Sequence, residues 1–143
     1  MGIEETPKLF LDSSFVVALF YGDSVSVDKA QKVLPALITV DRIYINNYIL
    51  SEVLTVLSQR IGKKKTKEGL NVLYNNRVEL IHASRAVENR AYEEFFKISK
   101  KDISYADLML TLHAKEKGID AILTLDKHYM YLGQKYGLNI ICP

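Results

Sequence analysis

Residues 8–20 read Lys-Leu-Phe-Leu-Asp-Ser-Ser-Phe-Val-Val-Ala-Leu-Phe. A short apolar run stops at Asp12, two serines follow, and a second apolar run with helical spacing begins at Phe15, which is the pattern of a buried strand, a turn and a helix. The pattern returns near the other end of the chain, where Ala-Ile-Leu-Thr-Leu at 121–125 stops at Asp126. Further short apolar runs at 43–45, 78–82 and 139–141 complete five expected strands. Helical periodicity occupies 14–20, 27–38, 47–61, 67–75, 86–98 and 105–117, with Gly62 and Gly118 where helices should stop. Near-continuous apolar strands separated by helices imply a parallel sheet covered on both faces and joined by right-handed crossovers. The expected class is therefore α/β, a three-layer α/β/α sandwich with a parallel five-stranded sheet. No repeat, low-complexity tract or linker rich in Pro, Gly or Ser interrupts it, so residues 1–143 are expected to form a single domain.

The composition fits that reading. The chain is 48% hydrophobic and 25% charged, which excludes disorder and fibrous repeats, and its length is enough to bury a core without staples. The lone Cys142 excludes an intramolecular disulfide and a multi-cysteine zinc site, and favours a reducing, cytoplasmic setting. The 19 Lys and Arg against 17 Asp and Glu leave +2, too little for a cationic field over the whole surface, so contact with nucleic acid must rest on local patches. The run Lys63, Lys64, Lys65, Lys67 is expected as a solvated loop between two helices, with a phosphate-contacting patch as the alternative. The longest apolar run, residues 15–20, falls far short of the roughly 20 residues that cross a bilayer. Residues 1–6 match the Met-Gly-x-x-x-Ser/Thr acylation pattern, but they carry Glu4 and Glu5 and no polybasic signal follows closely, so no membrane attachment is expected.

Four acids interrupt or end apolar segments. Asp12 and Asp126 each follow a strand, where side chains project beyond the carboxyl edge of a parallel sheet and ligands of such sheets bind. Either could instead cap a helix or turn; for Asp12 the two serines that follow could take over that role. Glu52 falls on the line Ile45, Ile49, Glu52, Val56 and Asp107 on the line Ile103, Asp107, Leu110, Ala114, so both are expected to face inward. An inward carboxylate needs a cation or an open cleft, because burying an unpaired charge costs several kcal/mol at least. Helix-dipole complementation at Asp107 contributes only about 0.3–1 kcal/mol. Four converging carboxylates repel one another and call for a cation, and an all-oxygen set selects a hard ion, Mg²⁺ or Mn²⁺. His82, His113 and His128 lack metal-ligand spacing and read as surface or core-edge residues. Tyr105 and Tyr129 lie beside the proposed site, either as stacking surfaces for bases or as core-edge packing.

The motifs Leu-Phe-Leu-Asp-Ser-Ser (9–14), Ser-Glu-Val (51–53), Ser-Tyr-Ala-Asp (104–107) and Thr-Leu-Asp-Lys-His-Tyr (124–129) occur in an order that resembles the PIN domain family of metal-dependent ribonucleases. The resemblance covers nearly the whole chain and carries over the parallel five-stranded sandwich. It implies that Asp12, Glu52, Asp107 and Asp126 are the catalytic, metal-holding acids, with Ser13, Ser104 and Thr124 in support. It also implies phosphodiester hydrolysis of RNA with one or two Mg²⁺ or Mn²⁺ ions. In length the chain looks like the VapC type of toxin, whose members are held inactive by a small antitoxin protein and commonly form homodimers. One alternative is a non-catalytic PIN-like module that binds RNA or protein. Another is a Mg²⁺-dependent phosphatase with Asp12 as nucleophile, although Ser14 then stands where that family has a second Asp.

Overall fold

The computed structural model describes residues 7–37 and 39–143. Residues 1–6, where the acylation pattern falls, and Ile38, expected to end the second helix, lie outside the described residues.

Strand β1 (Lys8–Leu11) leads into α1 (Ser13–Ala18) and α2 (Ser24–Leu37), and β2 (Arg42–Asn46) into α3 (Asn47–Ile61) and α4 (Lys63–Asn75). Then follow β3 (Val78–Ile81), α5 (Arg85–Phe95), α6 (Tyr105–Lys117), β4 (Ala121–Leu123), α7 (Tyr129–Tyr136) and β5 (Asn139–Ile141). The five strands form one parallel sheet in the order β3-β2-β1-β4-β5, the expected three-layer sandwich. In β1 the side chains alternate between two helical layers. Leu11 joins Ile43 and Val78 against Leu34 and Leu37 of α2 and Leu73 of α4, whereas Phe10 and Tyr44 turn to the other face, where Phe10 lies 5.2 Å from the His113 ring of α6. Helix α6 is the most deeply enclosed, with every residue from Leu108 to Ala114 buried. The strand order reverses between β1 and β4, which makes their carboxyl ends the topological switch point of the sheet. Among the described residues no helix is long and apolar enough to cross a membrane.

Several boundaries differ from the sequence reading for identifiable reasons. Helix α2 starts at Ser24 because Asp23 accepts from the Ser26 amide (2.9 Å) and hydroxyl (3.0 Å), a local cap that apolar periodicity does not register. The lysine run is not a loop: Lys63, Lys64 and Lys65 form the first turn of α4, against the helix dipole. Tertiary packing overrides that charge, because Thr66, Gly69, Leu70 and Leu73 bury one stripe of α4 and Gly62, at φ 86°, turns the chain sharply from α3 into it. The segment expected as a turn after Asp126 continues into α7, an eight-residue helix whose Gly133 weakens its intrinsic propensity. That glycine is required by position: a Cβ there would stand 2.5 Å from Ile140 Cγ1 and 2.7 Å from the Leu138 carbonyl oxygen, so its absence lets α7 lie on β5. Gly133→Ala is expected to destabilise the protein by about 1–3 kcal/mol through overpacking, read as a lower urea midpoint at unchanged slope.

Candidate active site

All four acids singled out in the sequence line one open cleft of about 810 Å³ beyond the carboxyl ends of β1 and β4. Asp12 is 2% exposed, so its carboxylate depends on hydrogen bonds. One oxygen, Oδ2, accepts from the Ser14 hydroxyl (2.6 Å), the Thr124 hydroxyl (2.8 Å) and the Ser14 amide (3.3 Å). The other, Oδ1, accepts from the Tyr129 hydroxyl at 2.9 Å, with the Ser13 hydroxyl at 3.5 Å. Asp12 is also the N-cap of α1, so the serines do not relieve it of that role; one carboxylate both starts the helix and faces the cleft.

Each remaining acid is placed by its own element. Glu52 stands beside the buried stripe of α3, which consists of Ile49, Val53 and Leu57; Val56, expected on the inward line with Glu52, is 38% exposed. The Ser13 hydroxyl donates to Glu52 Oε2 at 2.5 Å. Asp107 sits in the first turn of α6 within a capping box: its amide donates to the Ser104 hydroxyl (3.0 Å) and its carboxylate accepts from the Ser104 amide (3.1 Å). Asp126 accepts from the His128 amide (3.2 Å), while its own amide donates to the Thr124 hydroxyl (3.0 Å). Its carboxylate meets the His128 ring, which lies between Asp126 and Asp102.

The electrostatics follow from this crowding. Burial, assisted by the Asp12 and Asp107 charges, raises the pKa of Glu52, and the Ser13 hydrogen bond opposes the rise. Burial and the Asp12 charge likewise raise that of Asp107. Among the described residues no Lys or Arg forms an ion pair with Asp12, Glu52 or Asp107. Tyr129 is fully buried, and desolvation together with both flanking carboxylates pushes its hydroxyl well above its ordinary pKa, which keeps it a neutral donor. The donor set suits a hard divalent ion, being all oxygen and anionic, with no Lys or Arg paired to its three inner members among the described residues. Among the described residues, however, no three His, Cys, Asp or Glu side chains already form a ready-made ligand group.

The roles that the sequence does not reveal are those of residues that join elements. In the sequence Ser14 reads as a cap and as the position of a phosphatase's second acid, yet its hydroxyl bonds Asp12, lies 3.1 Å from the Thr124 hydroxyl and accepts the Leu125 amide at 3.0 Å, tying α1 to the end of β4. Tyr129 has no exposed face on which a base could stack. Tyr105 is committed elsewhere: its ring packs edge-on against Tyr48 and Phe95, and its hydroxyl donates to the Glu88 carbonyl at 3.2 Å. Of the histidines only His82 is exposed. His113 is wholly buried and His128 forms part of the cleft wall.

The PIN domain family profile matches residues 9–133. A search among curated protein sequences gives no significant match. Among solved structures, the chain is similar to VapC20 of Mycobacterium tuberculosis, a sarcin-ricin loop cleaving toxin, at 21% identity over 88% of this chain and 95% of that one, with a TM-score of 0.77. It is similar to VapBC2 from Rickettsia felis, bound to a promoter DNA fragment, at 18% identity over 94% and 97%, TM-score 0.70. A toxin-antitoxin complex from Klebsiella pneumoniae follows at 17% identity over 84% and 87%, TM-score 0.60. At these identities the structural likeness establishes the fold, and the profile spans four of the five strands and all four acids. The chain belongs to the PIN domain family.

Proposed function

We propose that this protein is a Mg²⁺- or Mn²⁺-dependent ribonuclease, the toxin of a VapBC-type toxin-antitoxin pair, acting as a homodimer and restrained by a small antitoxin protein. The observation that carries the nuclease reading is the placement of Asp12, Glu52, Asp107 and Asp126 around one cleft at the switch point of the sheet, with no Lys or Arg paired to the three inner carboxylates among the described residues. Family membership and the toxins among the structural neighbours support the toxin and antitoxin parts of the reading.

In this reading Asp12, Asp107 and Asp126 hold metal directly or through water, and Glu52 holds metal or orients the attacking water. A divalent ion in this cleft supplies an activated water and stabilises charge on the leaving oxygen. The chain's own residues supply the order. Ser14, Thr124 and Tyr129 fix both oxygens of Asp12, Ser13 aims Glu52, and the Ser104 capping box fixes Asp107. Ser14 occupies the place a phosphatase would give to a second acid, and it ties up the carboxylate oxygen of Asp12 rather than leaving it free to attack.

With end-labelled RNA, wild type is expected to cleave in Mn²⁺ or Mg²⁺ and not in EDTA. Asp107→Asn, which keeps the acceptor for the Ser104 amide, is expected to lose about 10²-fold or more in cleavage while its circular dichroism stays unchanged. Cleavage by Asp107→Asn at the wild-type rate would show a non-catalytic module instead. Mn²⁺ should also raise the melting temperature over EDTA, contributing about 2.7 kcal/mol at a hundredfold excess over its Kd. The sign with pH follows from the raised carboxyls of Glu52 and Asp107: their folded forms hold protons more tightly than the unfolded chain. Their contribution to stability is thus present below the ordinary carboxyl range and lost as pH rises through the raised values. In EDTA, Asp107→Asn should therefore melt above wild type at neutral pH, and the difference should close on acidification. Tyr129→Phe removes the 2.9 Å donor to Asp12 Oδ1 and should cost about 1–3 kcal/mol in urea unfolding without metal.

A further inference from the structure

A second groove, of about 830 Å³, opens beside the acidic cleft, and the two share Asp102, Lys127 and His128 as a common ridge. Their charges are opposite in character. The cleft is lined by six acidic residues and one lysine, Lys127. The groove adds Lys100 to Lys127, and its one acid, Asp102, already faces the His128 ring at 3.6 Å. Lys100 and Lys127 are exposed, and among the described residues neither pairs with a carboxylate. The Lys100 ammonium lies 4.7 Å from the centre of the Tyr131 ring, so a cation and an aromatic face stand together. Leu138, Ile140, Gln134 and Asn139 also line the groove.

We propose that this groove is the binding track for the flanking segment of a single-stranded RNA whose scissile phosphate lies in the cleft, with Lys127 and Lys100 taking successive phosphates and Tyr131 a base. The inference rests on the ribonuclease reading and extends it to how the strand leaves the site. A polyanion held among six acids must run toward cations, and a cationic groove with an aromatic ring is the usual combination for unpaired nucleic acid. The rest of the cleft lining offers a phosphate no further Lys or Arg: it includes Asp23, and Arg60, over the Tyr21 ring at 5.9 Å, is not among the residues that line the cleft. The groove owes its shape to α7 lying on β5, the close approach that Gly133 permits.

The test uses a ladder of single-stranded oligoribonucleotides, from a dinucleotide upward, with cleavage followed in Mn²⁺. Binding is followed separately by fluorescence anisotropy, with Asp107→Asn protein that leaves the strands intact. Wild-type kcat/KM is expected to rise with strand length. Lys100→Glu should flatten that rise through KM, weaken anisotropy-detected binding of the longer strands about five- to tenfold, and reduce the slope of log affinity against log salt by about 0.7 to 1. Lys100→Arg should restore all three, and Tyr131→Leu should weaken binding while leaving the salt slope intact. Lys100→Glu with wild-type length dependence and salt slope would overturn the track and leave a polypeptide segment as the occupant to test, with the ribonuclease reading standing. A wild type that neither cleaves nor binds any strand would overturn both readings.

Discussion

A carboxylate buried without a cation is maintained by its hydrogen bonds, and Asp12 draws its donors from three places in the chain. Ser13 and Ser14 come from α1, Thr124 from the end of β4, and Tyr129 from the first turn of α7. Leaving any of these donors out would expose the cost of an unsatisfied buried anion, so the carboxylate enforces the meeting of elements more than a hundred residues apart. The backbone reinforces the junction, since the Asp12 amide donates to the Leu123 carbonyl at 3.0 Å. The same group that closes the fold at the switch point of the sheet therefore forms the floor of the candidate site.

A second tether sets the spacing of the two acid-bearing helices. Asn46 ends β2 and caps α3 by accepting the Ile49 amide at 2.9 Å, while its side-chain nitrogen lies 3.2 Å from Nδ1 of His113 in α6. Both residues are fully buried, and burial lowers the pKa of His113, which suits a neutral imidazole accepting from the amide. The Asn46 cap of the helix carrying Glu52 is thus tied by a buried polar contact to the helix carrying Asp107, and the Tyr48 and Tyr105 rings, 6.0 Å apart, meet between the same two helices. Like charges brought close in this way are costly in the free protein, a common trade of stability for a preorganised site.

Much of this was legible because it is local. Strand β1 and helices α3 and α6 fall where periodicity placed them, since a short apolar run marks β1 and caps at Asn46 and Ser104, with Gly62 and Gly118 at the far ends, bound the two helices. The four acids stood out because a carboxylate against an apolar pattern is a local anomaly. Helix α7 was not legible. Eight residues with an internal glycine carry little helical signal, and the helix exists because it packs Tyr129 and Leu132 into the core and Gly133 against β5. The start of α4 was hidden for the converse reason, a charge pattern unfavourable to a helix that the burial of Thr66 and Leu70 outweighs.

The sequence by itself determined the α/β class, the number of strands and which four acids break an apolar pattern, all of which line the cleft, because each depends on periodicity or on a residue type out of keeping with its immediate neighbours. Only the tertiary structure decided that the Thr124 and Tyr129 hydroxyls meet Asp12, that Glu52 stands beside its helix's buried stripe rather than on it, and that a second, cationic groove adjoins the acidic cleft. Those features depend on atoms distant in sequence meeting within a few ångströms. The order of strands and the packing of helices fix such distances, and no window along the chain contains them.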